Sequence, residues 1–294
     1  MSALRRRLLT AAHRRPALGS WSLLAPGVGW LVVFFAVPLS VMLIYSVLER
    51  GTYGGVEWTF TLESYRRFFD PLYFGILRRS FVFGALTTAA CLALGYPMAY
   101  AIARSGRWRH LLLFLVILPF WTSFLIRTYA IIFLMRDTGL LNTALLAIGL
   151  LDEPIPMLYT PGAVLVGLVY GYLPFMVLPL YASIEKLDPS LLEAAEVLGA
   201  RPAARFFRVT VPLTWPGIVA GGVLVFIPSL GAFLTPDLLG GAKTMMMGNL
   251  VQQQFGAARD WPFGSAASFI LMAVVLALFW VYARRRDAGA TAAG

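Results

Sequence analysis

Five charged side chains, Glu193, Glu196, Arg201, Arg205 and Arg208, fall within sixteen residues of a chain that is otherwise largely apolar. Their types and spacing suit electrostatic docking. Glu193 and Glu196 lie one helical turn apart, and so do Arg205 and Arg208, so a helical hairpin here displays both signs of charge. Other chemistries lack their parts. The one cysteine, Cys91, sits in an apolar run, so neither a disulfide within the chain nor a thiolate metal cluster can form. His13 and His110 both lie outside the apolar runs, which removes histidine-based intramembrane catalysis and a membrane zinc site; no metal site is expected. The stretch "LLGGAKTMMMG" misses the phosphate-binding spacing G-x4-G-K-[ST], because Ala242 separates Gly241 from Lys243. The chain is therefore expected not to be an enzyme, and not to hydrolyse ATP itself.

The elements that hold the charged group are legible. Asp188-Pro189 sets an N-cap and a first helical residue. Leu191, Ala194, Ala195 and Leu198 recur at helical spacing, and Gly199 stands where a C′ glycine ends a helix. A second helix starts at Pro202 and is expected to stop before Pro212.

On either side the chain is oily. Of its 294 residues, 59% are hydrophobic and 13% charged, with mean hydropathy +0.76. Ordinary globular domains are about 45–50% apolar and about 25% charged. A soluble core cannot absorb that excess, so the chain reads as an all-α integral membrane protein in contact with lipid. Six apolar runs are long enough to span: Ala25–Leu48, Ser80–Ala103, Leu111–Met135, Pro161–Ser183, Pro216–Gly240 and Gly264–Ala283. The fifth is interrupted by Pro228, Gly231 and Pro236, which suits either a packed or pore-lining helix or a plain kink. The basic N-terminus resembles the positive region of a signal peptide. The run behind it outlasts the roughly 7–15 residues of a cleavable core, which predicts an uncleaved first span.

Six spans put both termini on one side. If that side is the cytoplasm, fifteen basic residues lie inside and eight outside, with Arg127 alone within a span. The bias predicts an N-in, C-in orientation and a hairpin facing the cytoplasm. The net charge of +10 thus belongs to topology rather than to nucleic acid. The predicted organisation is a basic cytoplasmic tail over residues 1–24, a six-helix domain over 25–283 with its loop at 184–215, and a tail over 284–294. In the first outer loop, "TLESYRRFFDPLYF" suggests a short amphipathic interfacial helix.

Glu193-Ala194-Ala195, then Gly199, then Val209-x-Val211-Pro212 resembles the signature loop E-A-A-x3-G-x9-I-x-L-P of the permeases of ATP-binding-cassette importers. Val209 and Val211 replace the pattern's Ile and Leu. The resemblance implies a coupling helix that fits a cleft on a separate ATPase. Glu193, Ala194, Ala195 and Gly199 would form the contact, with Arg201 and Pro212 beside them. It further implies a type I importer fold in the bacterial inner membrane, a second permease subunit, and a periplasmic or lipid-anchored binding protein. ATP and Mg would be bound by the ATPase, leaving this chain without a cofactor. The segments "ALGYPMAYAIAR" and "LPFWTSFLIRTYA", with "FIPSLGAFLTPDLLGGAKTMMMGNLVQQQF", are similar to the spermidine/putrescine group. That similarity runs through most of Phe60 to Ser268 and implies a polyamine cargo. Relatives with nearly the same motifs carry other amines, amino-acid-like solutes or phosphonates.

A polycation calls for carboxylates and aromatic faces. Trp121, Tyr129, Tyr170 and Tyr172 lie within spans, and Asp237 stands at the outer end of the fifth; each is a candidate for the pathway, with packing or loop capping as its alternative. Arg127 would repel such a cargo. It is expected to be structural, paired with Asp237 or with helix carbonyls; if it lines the pathway, an anionic or zwitterionic cargo is favoured. A secondary transporter would need intramembrane carboxylates for its coupling ion, and no Asp or Glu lies deep in a span.

Overall fold

The computed structural model describes residues 16–291. The expected basic tail lies outside them up to residue 15, and the C-terminal tail from residue 292. Within them the first span begins as α1 (Pro16–Leu31) and passes through a π-helical turn at Val32–Ala36 into α2 (Val37–Ser46). The turn precedes Pro38, whose ring nitrogen has no hydrogen for the preceding helix. The stretch long and apolar enough to cross a bilayer is Leu24–Ser46, close to the expected run.

Next come a two-stranded antiparallel hairpin, β1 (Leu48–Arg50) and β2 (Val56–Phe60), and the short helix α3 (Glu63–Phe68). The interfacial helix anticipated here is thus six residues long, with Phe68 buried. The second span, α4 (Pro71–Arg104), starts nine residues before the expected Ser80. The reason is a cap: the Asp70 carboxylate accepts the Leu72 N–H at 2.9 Å, with Pro71 at the first helical position.

The third apolar run is not one helix. It is laid out as α5 (Arg109–Ile117), a 3-10 turn at Leu118–Trp121, and α6 (Phe124–Met135), followed by α7 (Leu140–Ala147). Pro119 cannot donate to the ladder, and Thr122 and Ser123 are extended. The membrane-length stretch is therefore Phe124–Ala147 rather than Leu111–Met135. The fourth span, α8 (Pro161–Glu185), is capped by Thr160, which accepts the Ala163 N–H at 3.2 Å.

The charged hairpin comprises α9 (Pro189–Val197) and α10 (Pro202–Arg205), the latter continued by a π-helical turn at Phe206–Thr210 and by α11 (Val211–Leu213). The second arm therefore does not end before Pro212. The wide π turn absorbs the missing N–H of the proline and lets the helix run on. The fifth span is broken as its prolines and glycine suggest: α12 (Trp215–Leu230) stops, and α13 (Leu234–Gly240) resumes beyond Gly231. At 16 residues, α12 rises only about 24 Å, short of the roughly 30 Å hydrocarbon core. The last helices are α14 (Met247–Phe255) and α15 (Trp261–Thr291). Five stretches among the described residues can span by length and composition. A sixth exists if Pro202–Leu213 and Trp215–Leu230, bent by 66°, act as one.

The core lies where α4, α8 and α12 meet, around Cys91, Tyr96, Ala99, Met176, Val177, Leu180 and Val225. In lipid, close packing rather than water exclusion holds helices together. Gly217 shows how close: a Cβ there would stand 2.5 Å from Ser183 Cβ and 2.8 Å from the Pro179 carbonyl oxygen. Two smaller clusters join α3, α14 and α15 around Phe68 and Phe263, and α8 and α13 around Val164 and Leu239.

Candidate functional site

The hairpin is built by its local chemistry. The Asp188 carboxylate accepts the Ser190 N–H at 2.9 Å. This hydrogen bond holds the Asp188 carboxyl below its usual range. The cap's contribution is accordingly present above that range and fades as the pH falls through it. At the far end Gly199 takes φ +78°, a left-handed conformation. The Gly199 N–H donates to Glu196 O at 2.9 Å and the Ala200 N–H to Ala195 O at 3.0 Å. That pair of bonds is a Schellman turn. The Arg205 guanidinium donates to the Glu196 carboxylate and pins the second arm to the first.

With Glu196 engaged, Glu193 remains exposed on α9. Leu191, Val197 and Leu198 stand out beside it, Val197 and Leu198 nearly bare at 88% and 87%. Ala194 is exposed and Ala195 half-buried. Among the described residues nothing covers this face. It is a small apolar ridge with a carboxylate at its edge. Arg201 lies in the extended link before α10 and is exposed; Pro212, on α11, is also exposed.

The second arm is tied into the bundle. The Phe206 ring meets the Tyr96 and Tyr100 rings edge-on, with centroids 5.3 and 5.7 Å away. Thr214 donates to the Thr210 carbonyl at 2.8 Å, and its oxygen meets the Tyr96 hydroxyl at 2.8 Å. These contacts join the second arm to α4 and to the start of α12.

A second candidate is an open cavity of about 310 Å³ between the Leu118–Trp121 turn, α6, α8 and the break separating α12 from α13. Phe120, Phe124, Arg127, Gly171, Tyr172, Phe175, Pro228, Phe233 and Thr235 are among its walls. The Tyr172 hydroxyl donates to the Pro228 carbonyl at 3.2 Å, one of the groups freed where α12 ends. Broken backbone at membrane depth is tolerated beside such a cavity.

Of the residues expected on a pathway, only Tyr172 lines this cavity. Trp121 is 75% exposed and stacks edge-on with Phe114. Tyr129 and Tyr170 are exposed on α6 and α8, and Asp237 is exposed on the first turn of α13. The expectation for Arg127 needs correction. Among the described residues it forms no ion pair with Asp237 and no bond to a helix carbonyl through Nε or Nη1. Its guanidinium lies instead over Phe120, 4.7 Å from the ring centroid, with Phe124 at 5.5 Å. The rings attract the cation but accept no hydrogen bond from Nε or Nη1, and Arg127 forms part of the cavity wall. Sequence reasoning missed Phe120, Phe124, Phe175 and Thr235 as a group. Phe120, Phe175 and Thr235 share a signal, adjacency to Pro119, Pro174 and Pro236, while Phe124 begins the helix that follows the first of these breaks.

No group of three or more His, Cys, Asp or Glu able to hold a metal exists among the described residues.

Comparison with known proteins gives a consistent result. Residues 91–285 match the family described as binding-protein-dependent transport system inner membrane component. The chain is 48% identical over 257 residues to the spermidine/putrescine transport system permease protein PotB of Escherichia coli (strain K12), covering 86% of this chain and 94% of that one. It is 46% identical over 256 residues to PotB of Haemophilus influenzae, covering 87% and 90%. It is 34% identical over 295 residues to the inner membrane ABC transporter permease protein YdcU of Escherichia coli, covering 93% and 91%. In fold it is similar to a chain of a bacterial ABC transporter involved in the import of the acidic polysaccharide alginate, with TM-score 0.71 and 20% identity over 95% of this chain and 99% of that one.

Proposed function

The chain belongs to the family of binding-protein-dependent transport system inner membrane components, and we propose that it is the permease through which a polyamine of the spermidine/putrescine class crosses the membrane. It is a multi-pass inner-membrane permease subunit of an ABC importer. The observation that carries the cargo is the 48% identity to PotB across 86% of the chain.

The power comes from elsewhere. The uncovered α9 face supports docking to an ATP-binding-cassette ATPase, which would hold ATP and Mg. Glu193, Ala194, Ala195 and Gly199 are the proposed contact, with Arg201 and Pro212 shaping the link and the second arm. Ten net positive charges on the hairpin side, against one net negative on the other, support N-in and C-in. A binding protein delivers cargo to the outer face, and a second permease subunit completes the pathway, since one bundle of spans is half of it. Closure of the ATPase pair pushes α9. Phe206 and Thr214 pass the push to α4 and α12, and the break at Gly231 lets α13 swing.

A second reading, an anionic or zwitterionic cargo, is favoured by Arg127 in the cavity wall. The test is reconstitution of the purified complex with its binding protein. ATPase stimulation is measured with polyamines, amino acids and phosphonates. Stimulation by spermidine or putrescine supports the reading, and stimulation only by an anion overturns it. Absence of an ATPase from a mild-detergent preparation would count against the importer assembly itself.

A further inference from the structure

The cavity holds a mismatch between its walls and its charge. Nε and Nη1 of Arg127 are buried and meet no hydrogen-bond acceptor, and neither does Oγ1 of Thr235, a residue only 1% exposed. All three belong to residues on the cavity wall. The ring faces of Phe120 and Phe124 attract the cation but give its N–H groups no acceptor oxygen. Arg127 also stands in the first turn of α6, at the positive end of that helix, where Ser123 provides no side-chain cap. Buried N–H and O–H groups in native proteins find partners. These ask for an anion with two or more acceptor atoms, which describes a carboxylate.

Among the described residues the chain does not supply one. Residues 71–104, 111–136, 161–184, 211–236 and 261–286 contain no Asp or Glu. A second copy of the chain would bring the same segments, with its nearest carboxylates, Asp137 and Asp237, ten positions along from Arg127 and on the exposed first turn of α13. A polycationic cargo is repelled. Yet a polycation calls for carboxylates as well as aromatic faces along its route, and a different permease chain can bring them to the depth of Arg127. We propose that Arg127 and Thr235 receive a carboxylate from a membrane-spanning segment of a second, non-identical permease subunit. That carboxylate exchanges partners, from the Arg127 guanidinium at rest to an ammonium of the cargo in transit. The mouth residues Phe175, Pro228, Gly231 and Phe233 are left uncovered by this chain, so the site is open to such a side chain. Arg127 is here a positioning residue that holds the pathway's own anion until cargo displaces it. The inference rests on the polyamine reading above.

The test uses the whole complex with its native second permease. Arg127→Gln is expected to raise ATPase activity without cargo several-fold and to flatten its stimulation by loaded binding protein. Arg127→Lys is expected to retain most of the stimulation. Arg127→Glu is expected to cut uptake at least tenfold. Growth of that strain on limiting polyamine then selects suppressors, expected to replace an Asp or Glu within a span of the second permease by a neutral or basic residue. Suppressors confined to this chain overturn the proposal, as does wild-type uptake and regulation in Arg127→Gln. So does an anionic lipid whose removal from the wild-type complex reproduces the Arg127→Gln behaviour. If Arg127→Gln does not assemble, judged by recovery of the second permease with the tagged chain, the suppressor map still decides. A wild-type complex that takes up no polyamine overturns the cargo reading instead, which keeps the two failures apart.

Discussion

The hydroxyl of Tyr96 meets that of Thr214 at 2.8 Å inside the bundle. Thr214 spends its own proton on the Thr210 carbonyl, so Tyr96 is the donor. The pair spans 118 positions of sequence and joins the second span to the root of the charged hairpin. Beside it, Phe206 packs edge-on against Tyr96 and Tyr100. The hairpin's second arm is therefore joined to α4 by one hydrogen bond and one aromatic cluster.

Tyr96→Phe removes the hydrogen bond alone. A bond of this kind contributes about 1 kcal/mol, too little to unfold the protein. Phe206→Ala removes the packing as well and is expected to act more severely. Both variants should assemble with the ATPase yet lose much of the stimulation by loaded binding protein, Phe206→Ala more than Tyr96→Phe. Equal stimulation in Phe206→Ala and wild type would show that the hairpin signals by another route.

Gly199 tests the turn by conformation alone. A Cβ there would meet nothing within 4 Å, while the backbone holds φ +78°. Any loss on substitution is thus backbone strain, about 1 kcal/mol for alanine and more for a β-branched side chain. The expected order of uptake is Gly199 above Gly199→Asn, then Gly199→Ala, with Gly199→Val lowest, because asparagine tolerates the left-handed region. An order that follows side-chain size, with asparagine below alanine, would point to a steric role on the partner's side.

That turn was legible in the sequence because its signals are local: Asp188-Pro189 before the helix and Gly199 after it. Asp70-Pro71 carries the same signal, and it begins α4 nine residues before hydropathy alone does. The broken third run was not read, since Pro119 sits among residues apolar enough for a continuous span, and hydropathy is blind to a backbone break. Arg127 is anomalous in the sequence, which points to a carboxylate or helix carbonyls as its partner. Of its real company, Phe124 at i−3 follows from helical spacing, but Phe120 at i−7 depends on the 3-10 turn that periodicity does not show. The cavity joins α6, α8 and the α12–α13 break, which are far apart in sequence, and only tertiary packing assembles it.

On the opposite end of the bundle from the hairpin, Arg67 donates to Asp260 at 2.8 Å and to the Tyr73 hydroxyl at 3.0 Å, with its guanidinium 4.3 Å from the Phe263 ring centroid. Burial lowers the Arg67 pKa, but the bonds to Tyr73 and Asp260 outweigh it and leave the pKa raised. Asp260, 2% exposed, also accepts the Phe263 N–H at 3.1 Å and so caps α15. Asp260→Ala removes a cap and an ion pair together and leaves Arg67 without its carboxylate. Because Arg67 is 41% exposed, water recovers part of the loss, and the expected cost is about 1–3 kcal/mol. Thermal unfolding in detergent should show a lower Tm for Asp260→Ala, with a smaller drop for Asp260→Asn. An unchanged Tm in both would remove this clamp from the fold's supports.

Glu193 is the sharpest test of the docking face. Its partner within the hairpin is missing because Glu196, not Glu193, takes Arg205. Glu193→Lys therefore breaks no ion pair described in this chain and should leave insertion and the amount of protein in the membrane unchanged. What it reverses is the charge at the edge of the exposed Leu191–Leu198 ridge, where an ATPase groove would meet it. Reversal at an interface charge pair costs several kcal/mol of binding through like-charge contact, enough to lower occupancy by a hundredfold or more. The expected outcome is loss of uptake, with the ATPase absent from the tagged chain after mild solubilisation. Glu193→Gln, which keeps the shape and drops the charge, should retain partial uptake. Full uptake in Glu193→Lys would move the coupling contact away from α9.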